Sequence, residues 1–540
     1  MKLPQGVAQA DFDNATAKWK VAVGAEWVFT SDEDVTLYRD AYSPFFGEEE
    51  ERMASAAVAP STTEEVQAVV RIANEHGIPL YPISTGRNLG YGGSAPVLTG
   101  SVVLDLKRMN RVLEVSESNA FALVEPGVSY FDLHKHIEDR GLKVWIDCPD
   151  PGWGSVIGNA LDGGAGWTAW PFRDHFGAHC GMEVVLPNGD LVRTGMGAIP
   201  NSKSWQHNKW GYGPWVDGLF RQSNMGVVTK MGFWLMPRPQ AYISGTARVY
   251  RHKDIIPLIE ILSLLENEQV VNGSTSVGNP IVGGFGPGAD PDVQALLRRP
   301  GGATPEALEA IAVARQIPYW TCTIPTYGPE KVVRAKMDYA KEKFAEIAGS
   351  TFVETDLLRM PLSAAQLEKA HKVDFGVPNL ATFSIGSRTT FNPNPTSGHL
   401  WFSPIVPRSG EAIIEFQRFY AEHLQEITAG ENLGFLGPIT LTNWERSLVL
   451  MIMFPISRDK VQNRKIRDAF RRWVKLAGDR GWGEYRTAPS FMDDVAETYS
   501  FNNGALRRLH ETIKDAVDPK GILSAGRYGI WPRHLRKPRA

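Results

Sequence analysis

The order of elements along this 540-residue chain predicts a mixed α and β protein of two domains. Short apolar strand segments alternate with amphipathic helices through the first half, and glycine-rich loops sit at strand ends there. From about Ala241 the glycine clusters thin out and long helical stretches alternate with apolar runs. A chain of this length with 43% hydrophobic residues also exceeds what one core usually holds.

In "TEEVQAVVRIANEHG" the apolar positions recur at helical spacing, and Gly77 closes the helix. "IPLYPI" follows as a short buried strand and runs straight into "STGRNLGYGGSAP", which places the first glycine loop at a strand's end. "SVVLDL" and "FALVEPG" read as two further strands, "YFDLHKHIEDRG" as a helix stopped by Gly141, and "KVWI" as the next strand. A second glycine cluster, "GWGSVIGNALDGGAGW", comes after it. "MEVVLPNGDLVRTG" predicts a hairpin with a type I′ turn at Asn188 and Gly189, and "MGVVTKMGFWLMPRP" a closing strand stopped by prolines. Beyond Ala241, "PEALEAIAVARQ" and "PEKVVRAKMDYAKEKFAEIAG" are helices, and "ADPDVQALLRRPGGATPEAL" reads as an exposed helix and linker. The turn-rich tail "DAVDPKGILSAGRYGIWP" can return to the first domain.

With 57 basic against 60 acidic residues, no large excess of either sign is present to attract nucleic acid or an anionic membrane. Cys148, Cys180 and Cys322 are too few and too scattered for a disulfide framework, which fits a reducing compartment. The N-terminal stretch has no apolar run, and the longest such run, 448–454, falls far short of the ~18 residues a membrane helix needs. A soluble, cytoplasmic protein is expected.

A pyrophosphate needs several backbone N–H groups at close range, and glycines allow that approach together with positive φ. The loop spacing meets neither the G-x-G-x-x-G nor the P-loop pattern. Taken alone, one such loop is more often a turn than a phosphate cradle; two in one domain even the balance, because they suit a large dinucleotide held along its length. His175, His179 and Cys180 in "DHFGAHC" have the spacing of a metal site on a helix face, but Gly177 between them opposes a helix and no further ligand pair stands nearby. Ordinary hydrogen-bonded side chains are the expectation for them.

The ordered segments "STGRNLGYGGSAPV", "VVLDLKRMNRVLEV", "GSVIGNALDGGAGW", "GMEVVLPNGDLVRTGMGAIP", "QSNMGVVTKMGFWLMP", "HLWFSP", "GWGEYRT" and "AVDPKGILSAGRYGIWP" resemble the vanillyl-alcohol oxidase and eugenol oxidase group of flavoproteins, to which the 4-cresol dehydrogenase flavoprotein is close. The resemblance runs over about 38–532 and is weakest at 270–370, where a substrate cap would differ. It implies an α+β, two-domain fold: an FAD-binding domain at 1–241 completed by 487–540, and a cap at 242–486. Gly86, Arg87, Asn88, Gly90 and Gly92 then correspond to the loop around the FAD pyrophosphate. Gly154, Ser155, Gly158 and Asn159 match the second contact segment, with Val228 and Arg527 also at the cofactor. His399 aligns with the histidine that carries the flavin covalently, while Tyr42 stands where vanillyl-alcohol oxidase has a histidine that assists attachment.

The activity implied is FAD-dependent oxidation of para-substituted phenols, with hydride leaving the benzylic carbon for flavin N5 by way of a para-quinone methide. Oxygen as acceptor would give hydrogen peroxide; the alternative is a dehydrogenase that hands electrons to a cytochrome or other acceptor. A phenol has a pKa of about 10, so holding its anion at neutral pH asks for a shift of about three units, or about 4 kcal/mol. Tyr91, Tyr485 and Arg486 match the family's phenolate-binding residues and can supply a cation and hydrogen bonds. Because Tyr485 and Arg486 are adjacent, a bend must aim both inward. Asp150 corresponds to the carboxylate near flavin N5. Pro151 replaces a leucine and Trp167 a tyrosine, and with Trp401, Ser403, Pro438 and Val449 they are expected to shape the phenol pocket. A homodimer is expected, since "NSKSWQHNKWGYGPW" is shorter than the loop linked to octamers in vanillyl-alcohol oxidase.

Overall fold

The helix expected before the first glycine loop forms over Thr63–His76. The Thr62 side chain accepts from Glu65 N–H at its start, Val66, Val69, Val70 and Ala73 are buried along one face, and Gly77 ends it at φ +65°. The structure is a computed structural model, described over residues 3–537 apart from 89, 150, 282–290, 298, 300, 302–303, 382–396, 429–438 and 445.

Strand Leu80–Ile83 lies parallel to Val102–Asp105, whose four residues are all buried. Parallel strands are covered on both faces, which is why these segments read as continuous apolar runs. They belong to a four-stranded sheet, and a five-stranded antiparallel sheet is built from Val112–Ser116, Phe121–Val124, Val227–Trp234, His179–Val185 and Leu191–Arg193. The tail does return. Leu80 donates its N–H to Ile522 O and accepts from Ser524 N–H, while fully buried Lys514 pairs with Asp518 and donates to the carbonyls of Asn224 and Leu523.

The hairpin at 179–193 forms, but not through a type I′ turn. Gly189 is at φ +84°, while Asn188 is not among the residues with positive φ. Gly189 N–H donates to Leu186 O and Leu186 N–H to Asp190 O, the pattern of a type I turn closed by a left-handed glycine. The reason is Pro187, whose ring fixes a negative φ at the first turn position.

Beyond Ala241 a nine-stranded sheet dominates. Ala241–Val249 pairs antiparallel with Trp320–Gly328 along its whole length, and Ser447–Ser457 pairs with Ser397–Phe402. Helix Lys460–Asp479 buries Ile466, Phe470, Trp473 and Val474 against Phe402 and Phe454 from those strands. The segment expected to be exposed holds helix Pro291–Leu297, yet Val293 and Leu297, one turn apart, are buried in the same core. Among the described residues no helix is long and apolar enough to cross a membrane.

Candidate active site

A cavity lies where the strand-end loops of the first half face the strands Ser397–Phe402 and Ser447–Ser457. Its lining includes Gly86, Arg87, Asn88 and Gly92 from the first glycine loop, Gly154, Ser155, Gly158 and Asn159 from the second, and Val228 and Arg527. His399, Trp401, Val449, Tyr91, Tyr485 and Arg486 close the other side, joined by Pro151 and Trp167. Gly90 does not line the cavity but packs behind it: at φ +73°, an added Cβ would come 2.6 Å from Trp401 and 2.8 Å from His399. Asp150 and Pro438 lie outside the described residues.

At one end of the cavity a guanidinium is surrounded by rings. Arg486 Cζ sits 3.8 Å over the Tyr91 ring and 5.3 Å from that of Tyr485, and the two tyrosines meet edge to face at 6.3 Å. The chain bends at Tyr485, which lets neighbouring side chains reach one cavity. Arg486 Nε and Nη1 are buried and hydrogen-bond to nothing among the described residues; Nη1 lies 3.5 Å from Asp162 Oδ2. Burial opposes the charge, but Tyr485, Tyr91 and Asp162 more than offset it and raise the pKa, so Arg486 stays cationic. Burial, with Tyr485 facing it, pushes Tyr91 well above an ordinary phenol, so Tyr91 is a neutral donor.

Ser403 holds this end in place. Its hydroxyl is 2.9 Å from Tyr91 Oη, and its backbone N–H donates to both carboxyl oxygens of Glu484 at 3.0 and 2.9 Å. Burial raises the Glu484 pKa well above the ordinary carboxyl value, partly offset by the Ser403 N–H.

His399 is buried on strand Ser397–Phe402, its ring 4.9 Å from Tyr42 and 4.8 Å from Trp401. Tyr42 packs so closely that a Cβ at Gly398 would be 2.6 Å from it. At the mouth, exposed Arg87 lies 5.5 Å over the Trp153 ring.

Sequence reasoning missed the carboxylate at the centre. Asp162 accepts from Asn88 Nδ2 at 2.5 Å and from Tyr528 Oη, and lies 3.3 Å from Arg527 Nη2 as well as beside Arg486. One side chain thus joins the glycine loop, the bend and the tail. The signal available was an aspartate inside "NALDGG", indistinguishable from a turn residue without its partners. His175 and His179 turn to separate carboxylates, Nε2 to Asp147 Oδ1 at 2.6 Å and Nε2 to Asp217 Oδ2 at 3.0 Å. No group of His, Cys, Asp and Glu among the described residues could hold a metal.

The lining suits a long anionic cofactor. Backbone stripped of Cβ atoms forms one wall: a Cβ at Gly158 would lie 2.2 Å from Ser84 Oγ, and one at Gly86 2.2 Å from Ser94 Oγ. Arg87 and Arg527 add cations. Residues 54–195 match the family described as an FAD binding domain, so the chain is an FAD-binding flavoprotein. Over 531 residues it is 32% identical to the 4-cresol dehydrogenase (hydroxylating) flavoprotein subunit of Pseudomonas putida, covering 98% of this chain and 97% of that one. The chain belongs to the family of flavoprotein oxidoreductases that includes vanillyl-alcohol oxidase and the 4-cresol dehydrogenase flavoprotein. Among solved structures, 4-ethylphenol oxidase from Gulosibacter chungangensis, in complex with isoeugenol, superposes with a TM-score of 0.84 at 34% identity over 99% of this chain and 100% of that one. Substrate-bound p-cresol methylhydroxylase gives 0.81 at 29% identity, covering 98% and 99%.

Proposed function

We propose that this protein is an FAD-dependent oxidase of para-substituted phenols such as 4-hydroxybenzyl alcohols and 4-alkyl- or 4-allylphenols. The observation that carries the reading is the buried Arg486 guanidinium, with Nε and Nη1 lacking hydrogen-bond partners among the described residues and Tyr91 and Tyr485 beside it. A phenolate oxygen is the group that this arrangement complements: it takes charge-assisted hydrogen bonds from the cation and an ordinary one from the neutral Tyr91 hydroxyl.

FAD would be held along the glycine-lined wall, with Arg87 facing its pyrophosphate, Arg527 approaching the flavin and His399 as the covalent attachment point, and would supply the hydride acceptor. Arg486, Tyr91 and Tyr485 keep the ring oxygen deprotonated, which loads the ring with the electron pair that lets the benzylic C–H leave as hydride. The product of that loss is a neutral para-quinone methide, which water then attacks at the benzylic carbon. Asp150, between the cavity-lining Pro149 and Pro151, is assigned the carboxylate that takes a proton from that water. Pro151, Trp167, Trp401 and Val449 form the wall that selects ring substituents, with Pro438 assigned to the same wall. Residues 1–241 and 487–540 form the cofactor-binding unit and 242–486 the cap, in a homodimer.

Hydrogen peroxide formed in air with 4-ethylphenol or 4-hydroxybenzyl alcohol tests the oxidase reading. Fast dye reduction without peroxide would move the assignment to a dehydrogenase with a separate electron acceptor, the reading favoured by the relative that is a flavoprotein subunit. The attachment is tested by acid precipitation: a pellet that stays yellow and yields FAD mass on a peptide containing His399 is expected, and a colourless pellet would remove His399 from that role.

A further inference from the structure

The pair Asp147 and His175 has no part in the phenol chemistry, yet it stands directly behind the cavity wall. The His175 ring lies with Nε2 2.6 Å from Asp147 Oδ1 and Nδ1 2.5 Å from Asn159 Oδ1, and Tyr130 Oη is 3.1 Å from Nδ1. Asp147 Oδ2 accepts the Thr168 backbone N–H at 2.7 Å and also the Thr168 hydroxyl. Both side chains are shut from solvent, at 4% and 3% exposure. The main chain of 164–166 wraps them so tightly that a Cβ at Gly164 would fall 1.9 Å from Asn159 Oδ1, and one at Gly166 1.4 Å from Asp147 Oδ1. Asn159, Gly166 and Trp167 all line the cavity. Two wall elements, helix Val156–Leu161 and the segment 164–168, therefore meet on one internal post.

We propose that Asp147 and His175 are the positioning pair of this cavity, fixing the Asn159 amide on the cofactor side and, through Thr168, the Trp167 wall on the phenol side. This rests on the flavin-dependent phenol reading only for what the two walls face. An asparagine amide presents a donor or an acceptor according to a half-turn about its last bond. With Nε2 tied to Asp147, the imidazole is held in one orientation, and its Nδ1 meets the Asn159 side chain at the amide, so the pair fixes the rotamer in which that amide reaches the cavity. Thr168, tied twice to Asp147, fixes the direction from which Trp167 enters the wall.

The test uses His175→Gln and Asn159→Ala, singly and together, in the flavin-loaded enzyme. His175→Gln is expected to slow anaerobic flavin reduction about 10- to 100-fold, the range for groups one shell behind a reacting centre. Its visible flavin spectrum should shift, while affinity for an unreactive phenol changes less than about threefold. Added to Asn159→Ala, it should slow reduction by less than about twofold further, because both act through one amide. Fully multiplicative slowing, or an unchanged rate and spectrum in His175→Gln, would overturn the proposal.

Thermal unfolding of the purified protein supplies a second cycle, with Asp147→Asn and His175→Gln. A double variant that loses less than the summed Tm drops is expected, and a strictly additive loss would break the pair. If no para-alkylphenol reduces the parent enzyme's flavin, the phenol reading fails, while the flavin spectrum of His175→Gln and the unfolding cycle still decide on the pair.

Discussion

The two ends of the cavity are built by opposite means. Along the glycine wall, function depends on side chains that are missing: at Gly86 and Gly158, and at Gly90 packed behind it, any Cβ would collide with a neighbour. Around Arg486 it depends on side chains that are present, a cation under two tyrosine rings with Ser403 and Glu484 behind them. Additions should therefore damage one end and deletions the other, by different routes: bulk displaces the cofactor wall, whereas loss of charge removes the phenolate.

The largest effect is expected at the charged end. Arg486→Met should weaken binding of an unreactive phenol about 1000-fold, matching the shift of about three units needed to hold a phenolate at neutral pH. Flavin content should stay at the parent level; a titration that shows both losses together would mean the ends are not separable. Tyr91→Phe deletes one hydrogen bond to a charged oxygen, about 1.5–3 kcal/mol, or about 10- to 100-fold in the rate of flavin reduction measured by stopped flow.

At the other end, Gly90→Ala forces a Cβ against Trp401 and His399 at positive φ, for an expected stability loss of about 1–3 kcal/mol in urea unfolding and a lower ratio of flavin to protein absorbance. An undisturbed flavin content would show that the wall tolerates bulk and would erase the contrast.

The smallest effect concerns Glu484. Burial raises its pKa well above the ordinary value of 4.5, so the folded chain keeps a proton that the unfolded chain releases above that pH. Its contribution to stability is complete below pH 4.5 and weakens as the pH rises toward the raised value. Glu484→Gln, neutral throughout, should match the parent's melting temperature at pH 4 and exceed it by about 1–2 °C at pH 8. An equal gap at both pH values would show that Glu484 acts through shape alone.

The same contrast explains what could be read from sequence. Glycine loops, helix stops and the change of character at Ala241 are local patterns, and the strands and helices they delimit form where expected. The type I′ turn failed because one neighbour, Pro187, overrode the Asn-Gly pair. The charged end is non-local: Tyr91, Ser403 and Arg486 come from three distant stretches, and the resemblance to known flavoproteins, rather than any spacing, grouped Tyr91 with Arg486. Asp162 escaped both routes, since a carboxylate beside glycines looks like a turn until its partners from 88, 486 and 527 are in place, and His175, expected to be hydrogen-bonded, gave no sign that its partner would be Asp147.

Strand Leu80–Ile83, which launches the first glycine loop, takes both main-chain hydrogen bonds of Leu80 from residues 522 and 524. A ribosome delivers those residues more than four hundred positions after the strand has emerged. Until then the strand has an open edge, and Arg527 and Tyr528 are not yet there to meet Asp162. The cofactor cradle therefore lacks this edge until residues 522–528 have joined the strand they close.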